Sequence, residues 1–197
     1  MLNALIKGGW IMFPLAVCSL VSVTIIIERF IFFRRIRQAH RAEEVLALVD
    51  KQRGVEALAI ADKGQQLPII RVLRTGLTQT SAPSRAMEYA GVAELALMRR
   101  GLTALDTIIT LSPLLGLLGT IIGMMEAFNV MALSGISQPH AVTGGVAEAL
   151  ICTAAGITVA VITLIPYNYF LSRIELETEA IEAYATRLEL ALSASKG

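Results

Sequence analysis

The chain has 197 residues, of which 55% are hydrophobic, and its mean hydropathy is +0.65. This composition is too apolar for an ordinary soluble domain of that length, so we predict a membrane protein. The net charge of +1 indicates neither an acidic nor a basic partner. Cys18 and Cys152 lie in apolar segments without metal-ligand or disulfide spacing, and the chain has no glycine-rich phosphate-binding loop. We therefore expect neither a metal nor a cofactor.

The first membrane segment is predicted within residues 1–33. Residues 8–27 form an uncharged run of 20 residues, and about 20 helical residues cross a hydrocarbon core of about 30 Å. The run ends in the charged stretch 28–37. A cleaved signal peptide would have a shorter apolar core and a small-residue cleavage site. We therefore predict a retained transmembrane helix.

Residues 34–104 are predicted to form a cytoplasmic helical region. They hold 12 of the 17 Lys and Arg residues, together with 7 acidic residues. Acidic residues interspersed with the basic ones argue against nucleic-acid binding, whereas an excess of basic residues is typical of cytoplasmic loops. We expect several short amphipathic helices here, and we expect the last to run from about Ser84 straight into the second membrane segment. This charge asymmetry also predicts an N-terminus on the outer side of the membrane.

Two more membrane segments are predicted at 105–128 and 146–172, joined by a periplasmic connection at 129–145. The runs 107–125 and 149–172 are uncharged. Residues 173–197 continue as a cytoplasmic helical tail with an apolar stripe at heptad spacing. This tail has a net charge of −2, and it either packs against the basic 34–104 helices or leaves a charged face in solvent. The predicted fold is an all-α membrane protein with three transmembrane helices and long helical cytoplasmic extensions.

Polar and small residues interrupt the second segment at helical spacing. Asp106, Thr110 and Thr120 share one helix face. The same segment has small residues at spacings that allow close helix approach in lipid, namely Gly116, Gly119 and Gly123. The threonines either line a polar path or bond back to their own helix, and the glycines either accompany that path or serve packing alone.

The third segment begins with Glu148, followed by Thr153 and Gly156. An ionised carboxylate inside a membrane usually faces a partner or a water-filled path. The alternative is a carboxylate in the first turn at the outer interface, favoured by the helix dipole. If the two helices turn near Ala127 and Val146, Thr120 and Thr153 both lie about 10 Å below the outer surface. Two hydroxyls at one depth on antiparallel neighbours are suited to line a polar path.

These segments resemble a known family. The matching residues are Ser112-Pro-Leu-Leu-Gly-Leu-Leu-Gly-Thr-Ile-Ile-Gly123 with Phe128, then Val146-Ala-Glu-Ala-Leu-Ile-Cys-Thr-Ala-Ala-Gly156, then Tyr167-Asn168. In this order and separation they are similar to the MotA/TolQ/ExbB proton-channel family. Three segments with one cytoplasmic region resemble ExbB and TolQ, whereas MotA-type stators have four segments.

The resemblance implies an inner-membrane stator. A homopentamer of such chains surrounds the transmembrane helices of two ExbD- or TolR-like partners, each with a single span, and an aspartate on the partner carries protons. Proton flow then drives work at the outer membrane through a TonB- or TolA-like protein. Thr120, Glu148 and Thr153 match the polar pore residues of the family. The chain departs at Ile162, where the family often has proline, with Pro166 four residues later. Glu126 is also atypical and is a possible pore-mouth residue.

Other functions remain open at this stage. An intramembrane enzyme would need a nucleophile with a base inside the segments, and no histidine lies there, so we expect no enzyme. A non-conducting membrane scaffold would keep the glycine packing but would leave Glu148 and both threonines without a role. Within the family, a TolQ-like subunit for cell-envelope integrity or for gliding is a further alternative.

Overall fold

The computed structural model describes residues 9–36, 40–79, 81–134 and 139–194, and these residues form seven helices without a strand. The all-α prediction is confirmed for this part of the chain. The helices are α1 Met12–Ile36, α2 His40–Asp50, α3 Gly54–Lys63, α4 Pro68–Thr78, α5 Pro83–Arg99, α6 Leu102–Ser134 and α7 Pro139–Ala194.

Three of the described helices are long and apolar enough to cross a membrane. They correspond to the three predicted segments and include α1, α6 and the first part of α7. Pro113 lies inside α6 and Pro166 inside α7, and neither residue ends its helix. Proline removes one helical hydrogen bond, which neighbouring groups of a membrane helix commonly compensate. The shifted proline of the third segment is therefore compatible with a continuous helix.

The first compact unit contains the residues up to Glu28 together with Gly101–Asn168. Its core cluster joins the start of α1 to α7 through Ile11, Met12, Leu15 and Cys152. On the outside it exposes large apolar side chains, for example Leu20 at 70% and others along all three helices. Apolar surface on this scale is costly in water and is expected for helices that face lipid.

The second unit contains Arg29–Arg100 and the chain from Tyr169 onward. The predicted stripe of the tail is buried here, with Ile174, Ile181 and Leu188 each at most 5% exposed. A Cβ atom added at Gly76 would lie 3.2 Å from Leu188, and one at Gly91 would lie 3.6 Å from Ile181. Of the two alternatives for the tail, packing against the helices of region 34–104 is therefore correct.

The net charges suggest that an acidic residue of the tail pairs with a basic residue of region 34–104. In the ion pair that forms, the basic residue belongs to the tail instead. Arg187 of the tail donates two hydrogen bonds of 3.1 Å to the carboxylate of Glu43 in α2. These bonds hold the pKa of Glu43 below its usual value. The acidic tail residue Glu177 instead accepts a hydrogen bond of 3.3 Å from Arg173 within α7. Shape and burial, rather than the net charges of the two regions, therefore govern how the tail packs.

The prediction of one uninterrupted helix from Ser84 into the second segment is wrong. Helix α5 ends at Arg99 and α6 begins at Leu102. Gly101 has a φ of +82°, a left-handed conformation that glycine adopts without the steric cost of a side chain. A left-handed glycine just beyond the last turn is a common helix terminator. The glycine therefore separates a helix of the second unit from a membrane helix of the first.

A buried arginine stabilises the end of α5. Arg29 is 3% exposed, and its Nη1 donates hydrogen bonds to the carbonyl oxygens of Leu97 at 3.0 Å and Met98 at 3.4 Å. Its guanidinium also lies 4.7 Å from the ring centroid of Phe32. A cation at a helix C-terminus binds the last carbonyls of the helix and interacts favourably with the helix dipole. In the sequence analysis Arg29 was only part of the charged stretch that ends the first apolar run.

Candidate functional site

Helices α6 and α7 approach each other so closely that their backbones touch. A Cβ atom added at Gly116 would lie 3.0 Å from the carbonyl oxygen of Cys152 and 3.4 Å from the Cα of Gly156. A Cβ atom at Gly156 would collide with the carbonyl oxygen of Ser112. Because glycine has no side chain, the crossing is tight in the way that small-residue spacings permit in membranes.

Two further glycines extend this contact toward the C-terminal end of α6. A Cβ atom at Gly119 would lie 2.6 Å from the Cβ of Cys152, and one at Gly123 would lie 3.1 Å from the Cβ of Ala149. The structure thus brings all four glycines that the sequence singled out into one helix–helix contact.

Two threonine hydroxyls meet across this crossing. The Oγ1 atoms of Thr120 and Thr153 lie 3.0 Å apart, and either atom is able to donate. Thr153 also has the carbonyl oxygen of Gly116 within 3.1 Å. Thr120 has the carbonyl oxygens of Leu117 at 2.7 Å and Gly116 at 3.3 Å. Two residues chosen for their position along separate helices therefore form one polar cluster.

The hydrogen bonds available to this cluster define what it can do. Each hydroxyl has one proton to donate and two lone pairs that accept. Backbone carbonyls of α6 are able to take both protons, so Thr120 and Thr153 need no external acceptor. Their side chains are half-buried rather than sealed. The hydroxyl oxygens are therefore able to accept a hydrogen bond from a water molecule or from a protonated carboxyl group.

Glu148 and Glu126 line one small cavity of about 190 Å³. Another wall is the chain segment from Gly9 to Ile11, immediately before α1. The first N–H groups of a helix carry a partial positive charge, so this wall is electrostatically suited to a carboxylate. Sequence reasoning placed Glu148 near the outer entrance and Glu126 as a separate pore-mouth residue, whereas the structure puts both on the same cavity.

Gly9 is the residue of this wall that the sequence analysis missed. Its φ is +65°, and an added Cβ atom would lie only 2.5 Å from Oε1 of Glu148. The backbone conformation favours glycine, and a side chain at this position would also displace the carboxylate of Glu148. The glycine pair that precedes Trp10 was a visible signal for a turn, but nothing local in the sequence connects that turn to Glu148.

Asp106 and Thr110 lie apart from the threonine pair. Thr110 Oγ1 donates to carbonyl oxygens of its own helix, those of Asp106 at 3.2 Å and Thr107 at 3.0 Å. Thr120 is about 15 Å further along α6 than Thr110. The carboxylate of Asp106 lies close to the hydroxyl of Tyr167 on α7, near enough to interact with it electrostatically. The polar stripe on α6 therefore divides into a Thr120–Thr153 cluster and an Asp106–Tyr167 pair near the other end of the helices.

These features define the class of protein as an all-α, multi-pass membrane protein with a glycine-packed helix pair that carries polar groups. Within the described residues no group of three His, Cys, Asp or Glu side chains is arranged to hold a metal ion. Residues 60–183, more than half of the chain, match the sequence profile of the MotA/TolQ/ExbB proton channel family. The chain belongs to this family, which consists of channel and transport proteins rather than enzymes.

Individual relatives point the same way. The biopolymer transport protein ExbB-like 3 of Synechocystis sp. is 39% identical over 191 residues, which cover 93% of this chain and 90% of the relative. ExbB-like 1 of the same organism is 36% identical over 200 residues, covering 96% and 78%. The Tol-Pal system protein TolQ of Haemophilus influenzae is 41% identical over 100 residues, covering 50% and 41%. The similarity to ExbB-like proteins therefore extends over nearly the whole chain.

Proposed function

We propose that this chain is a proton-conducting stator subunit of an inner-membrane motor, similar to ExbB and TolQ. The observation that carries the proposal is the hydroxyl pair of Thr120 and Thr153, with 3.0 Å between the oxygens. It lies on the same two helices as Glu148, whose carboxylate opens onto a cavity. Three polar groups on two adjoining apolar helices are unusual for helices that only anchor a protein in the membrane, because polar groups in membranes usually face a partner or a path.

The three residues have different roles in this proposal. The threonine hydroxyls position water or the carboxyl group of a partner helix in the middle of the membrane. Glu148 adjusts the outer entrance and attracts protons to it. Among the described residues, the hydrogen-bond partners of the threonine pair are hydroxyl and carbonyl oxygens. In this proposal the group that binds and releases the proton there belongs to a single-span, ExbD- or TolR-like partner. Proton flow then energises a TonB- or TolA-like protein that works at the outer membrane.

The proposed assembly is a homopentameric ring around the partner helices. Thr120, Thr153 and Glu148 are each half-exposed in the single chain, and in a lone subunit they would meet lipid. A closed ring removes them from lipid, and closed cyclic symmetry is the common arrangement of homo-oligomers. The number five comes from the resemblance. Native mass spectrometry in mild detergent tests it, and a stable monomer or dimer would count against the ring.

The proposed orientation has a periplasmic N-terminus and a cytoplasmic C-terminus. It is supported by the 12 basic residues between Arg34 and Ala104. A single cysteine at position 137, in a chain without Cys18 and Cys152, provides the measurement. An impermeant reagent is expected to label it in cells with an intact inner membrane. Labelling only after that membrane is broken would reverse the orientation.

Proton flux into liposomes is the decisive experiment. The chain is reconstituted together with an ExbD- or TolR-like single-span protein, and flux is followed with an internal pH dye while sodium is absent. We expect flux with wild-type protein, and we expect loss of flux when the partner's intramembrane aspartate is changed to asparagine. Intact complexes that conduct no protons with any partner would favour the alternative, a membrane scaffold. That alternative is supported by the carbonyl partners that both hydroxyls already have within the protein.

A further inference from the structure

Five side chains surround a cavity of about 520 Å³ in the second unit. Phe30, Phe33 and Arg34 come from the end of α1, and Tyr169 and Arg173 come from α7. The volume lies within the range of about 300–1,000 Å³ that is typical of small-molecule sites. None of these residues belongs to the proposed proton path.

The cavity lies where two apolar segments end. In α1 Phe33 directly precedes Arg34, and in α7 Tyr169 lies four residues before Arg173, near the end of an uncharged run. Aromatic and basic residues in this order are typical of the boundary between hydrocarbon and headgroups. The cavity is therefore at the depth of lipid headgroups, whichever side of the membrane it faces.

One wall of the cavity belongs to a buried aromatic stack. Phe33 stacks on Phe170, with 5.6 Å between the ring centroids and 15° between the planes, and both side chains are buried. Phe30 and Tyr169 are about half exposed and line the open part. The site thus combines a buried apolar floor with accessible aromatic sides, a surface suited to the glycerol and upper acyl carbons of a lipid.

The charge of the cavity is positive. Arg34 is exposed in the last turn of α1. Arg173 donates to Glu177 over 3.3 Å, longer than the roughly 2.7–2.9 Å of a strong charge-assisted bond. Burial raises the pKa of Glu177. Both guanidinium groups line the cavity, and in the described part of the chain only that of Arg173 is paired with a carboxylate.

We propose that this cavity binds the headgroup of an anionic phospholipid. The planar guanidinium groups of Arg34 and Arg173 hold the phosphate, since the guanidinium fork matches two phosphate oxygens. The aromatic side chains hold the glycerol backbone. Basic pockets between transmembrane helices are known to bind anionic headgroups, and a free phosphate ion would leave the aromatic part of this cavity unused. A bound lipid would link α1 to α7 and stabilise their packing.

The test compares three arginine variants. Arg34→Gln and Arg173→Gln remove charges that line the cavity, and Arg35→Gln is the matched control, because Arg35 is exposed in the same turn of α1 but does not line the cavity. The probes are phosphatidylglycerol and phosphatidylcholine, added to purified full-length protein in mild detergent. Native mass spectrometry measures the lipid retained, and the midpoint of thermal unfolding is measured with and without lipid.

We expect wild-type protein to retain phosphatidylglycerol in preference to phosphatidylcholine and to be stabilised by it. Each cavity variant should retain about fivefold less phosphatidylglycerol, the effect of one basic residue near a membrane surface. Arg35→Gln should retain as much as the wild type. Glu177→Gln, which frees Arg173, should retain more. Arg173→Lys keeps the charge without the fork and should fall between wild type and Arg173→Gln, which separates lipid loss from misfolding.

Three results would overturn the proposal. Equal loss in Arg35→Gln would show diffuse attraction to basic residues rather than a site. Unchanged retention in both cavity variants would exclude the arginines as ligands. Equal stabilisation by millimolar inorganic phosphate would show an anion site without lipid recognition. Proton flux is independent of all three readouts, so failure of this proposal leaves the proposed function standing.

Discussion

Thr120 and Thr153 are 33 residues apart in sequence, and their hydroxyl oxygens lie 3.0 Å apart across the crossing of α6 and α7. The contact exists because Gly116 and Gly156 allow the two backbones to touch beside it. The glycines and the threonines therefore form one structural feature, in which close packing brings the hydroxyls together.

Replacing each threonine with valine tests the role of the hydroxyls. Thr120→Val and Thr153→Val nearly preserve shape, but the water molecule or partner carboxyl group that the lost hydroxyl would bind is left unpaired, at a cost of roughly 1–3 kcal/mol. Proton flux should therefore fall about tenfold or more, since about 1.4 kcal/mol is a factor of ten in rate. Thr158→Val is the matched control, because Thr158 is exposed and bonds only the carbonyl of Ala154 in its own helix. Wild-type flux in both assembled variants would assign the threonines to packing alone.

Glu148 and Glu126 line one cavity, and charge removal separates their roles. If Glu148 adjusts the entrance, Glu148→Ala should reduce flux more than Glu148→Asp, which keeps the charge. Glu126→Gln should leave flux close to wild type. Flux is followed through the energy-dependent transport that it drives, in cells that lack the native gene, and the yield of complex is measured in parallel. A larger effect of Glu126→Gln than of Glu148→Ala would mean that Glu126, rather than Glu148, adjusts the entrance.

Gly9 and Glu148 are expected to be energetically coupled. Gly9→Ala introduces a methyl group 2.5 Å from Oε1 of Glu148, and Glu148→Asp shortens that side chain by one methylene group. The double variant should therefore conduct better than the product of the two single effects, with a coupling of about 0.5–3 kcal/mol for residues in contact. Alanine at a φ of +65° is strained whether residue 148 is glutamate or aspartate, so this strain cancels in the double-mutant cycle. Strict additivity would exclude Gly9 as a positioning residue for Glu148.

The glycine crossing predicts a sharp difference between two alanine substitutions in α7. Gly156→Ala places a methyl group against the backbone of α6, and overpacking of this kind costs about 1–3 kcal/mol. Gly144→Ala meets nothing within 4 Å and should have no packing cost. Thermal unfolding in detergent and the yield of oligomer measure both. Equal midpoints for the two variants would contradict the close approach of the helices.

Arg29 should contribute measurably to the stability of the second unit. Arg29→Gln removes the hydrogen bonds to the carbonyls of Leu97 and Met98, so the free energy of unfolding should fall by about 1–3 kcal/mol. Arg35→Gln removes the same charge from an exposed position of the same helix and is the control. Equal unfolding midpoints in the two variants would show that Arg29 acts only as an interfacial charge.

Much of the architecture was predictable because it depends on local patterns. Uncharged runs of sufficient length define membrane helices, and the heptad stripe through Ile181 defines the buried face of the tail. The break at Gly101 was not predicted, because glycine inside an apolar pattern is compatible with a continuous helix as well as with its end. The pairing of Arg187 with Glu43 was also not predicted, because net charges of regions do not specify which side chains meet.

Helical periodicity is enough to place Thr120 with the glycines of α6 on one helix face and Thr153 with those of α7 on another. How those faces meet, how close the hydroxyls come, and the contact between Gly9 and Glu148 became visible only in the folded chain. The physical reason is that the helical period is a property of neighbouring residues in one chain segment. The crossing of two helices depends on steric fit between segments far apart in sequence, and a single missing Cβ atom changes that fit by ångströms.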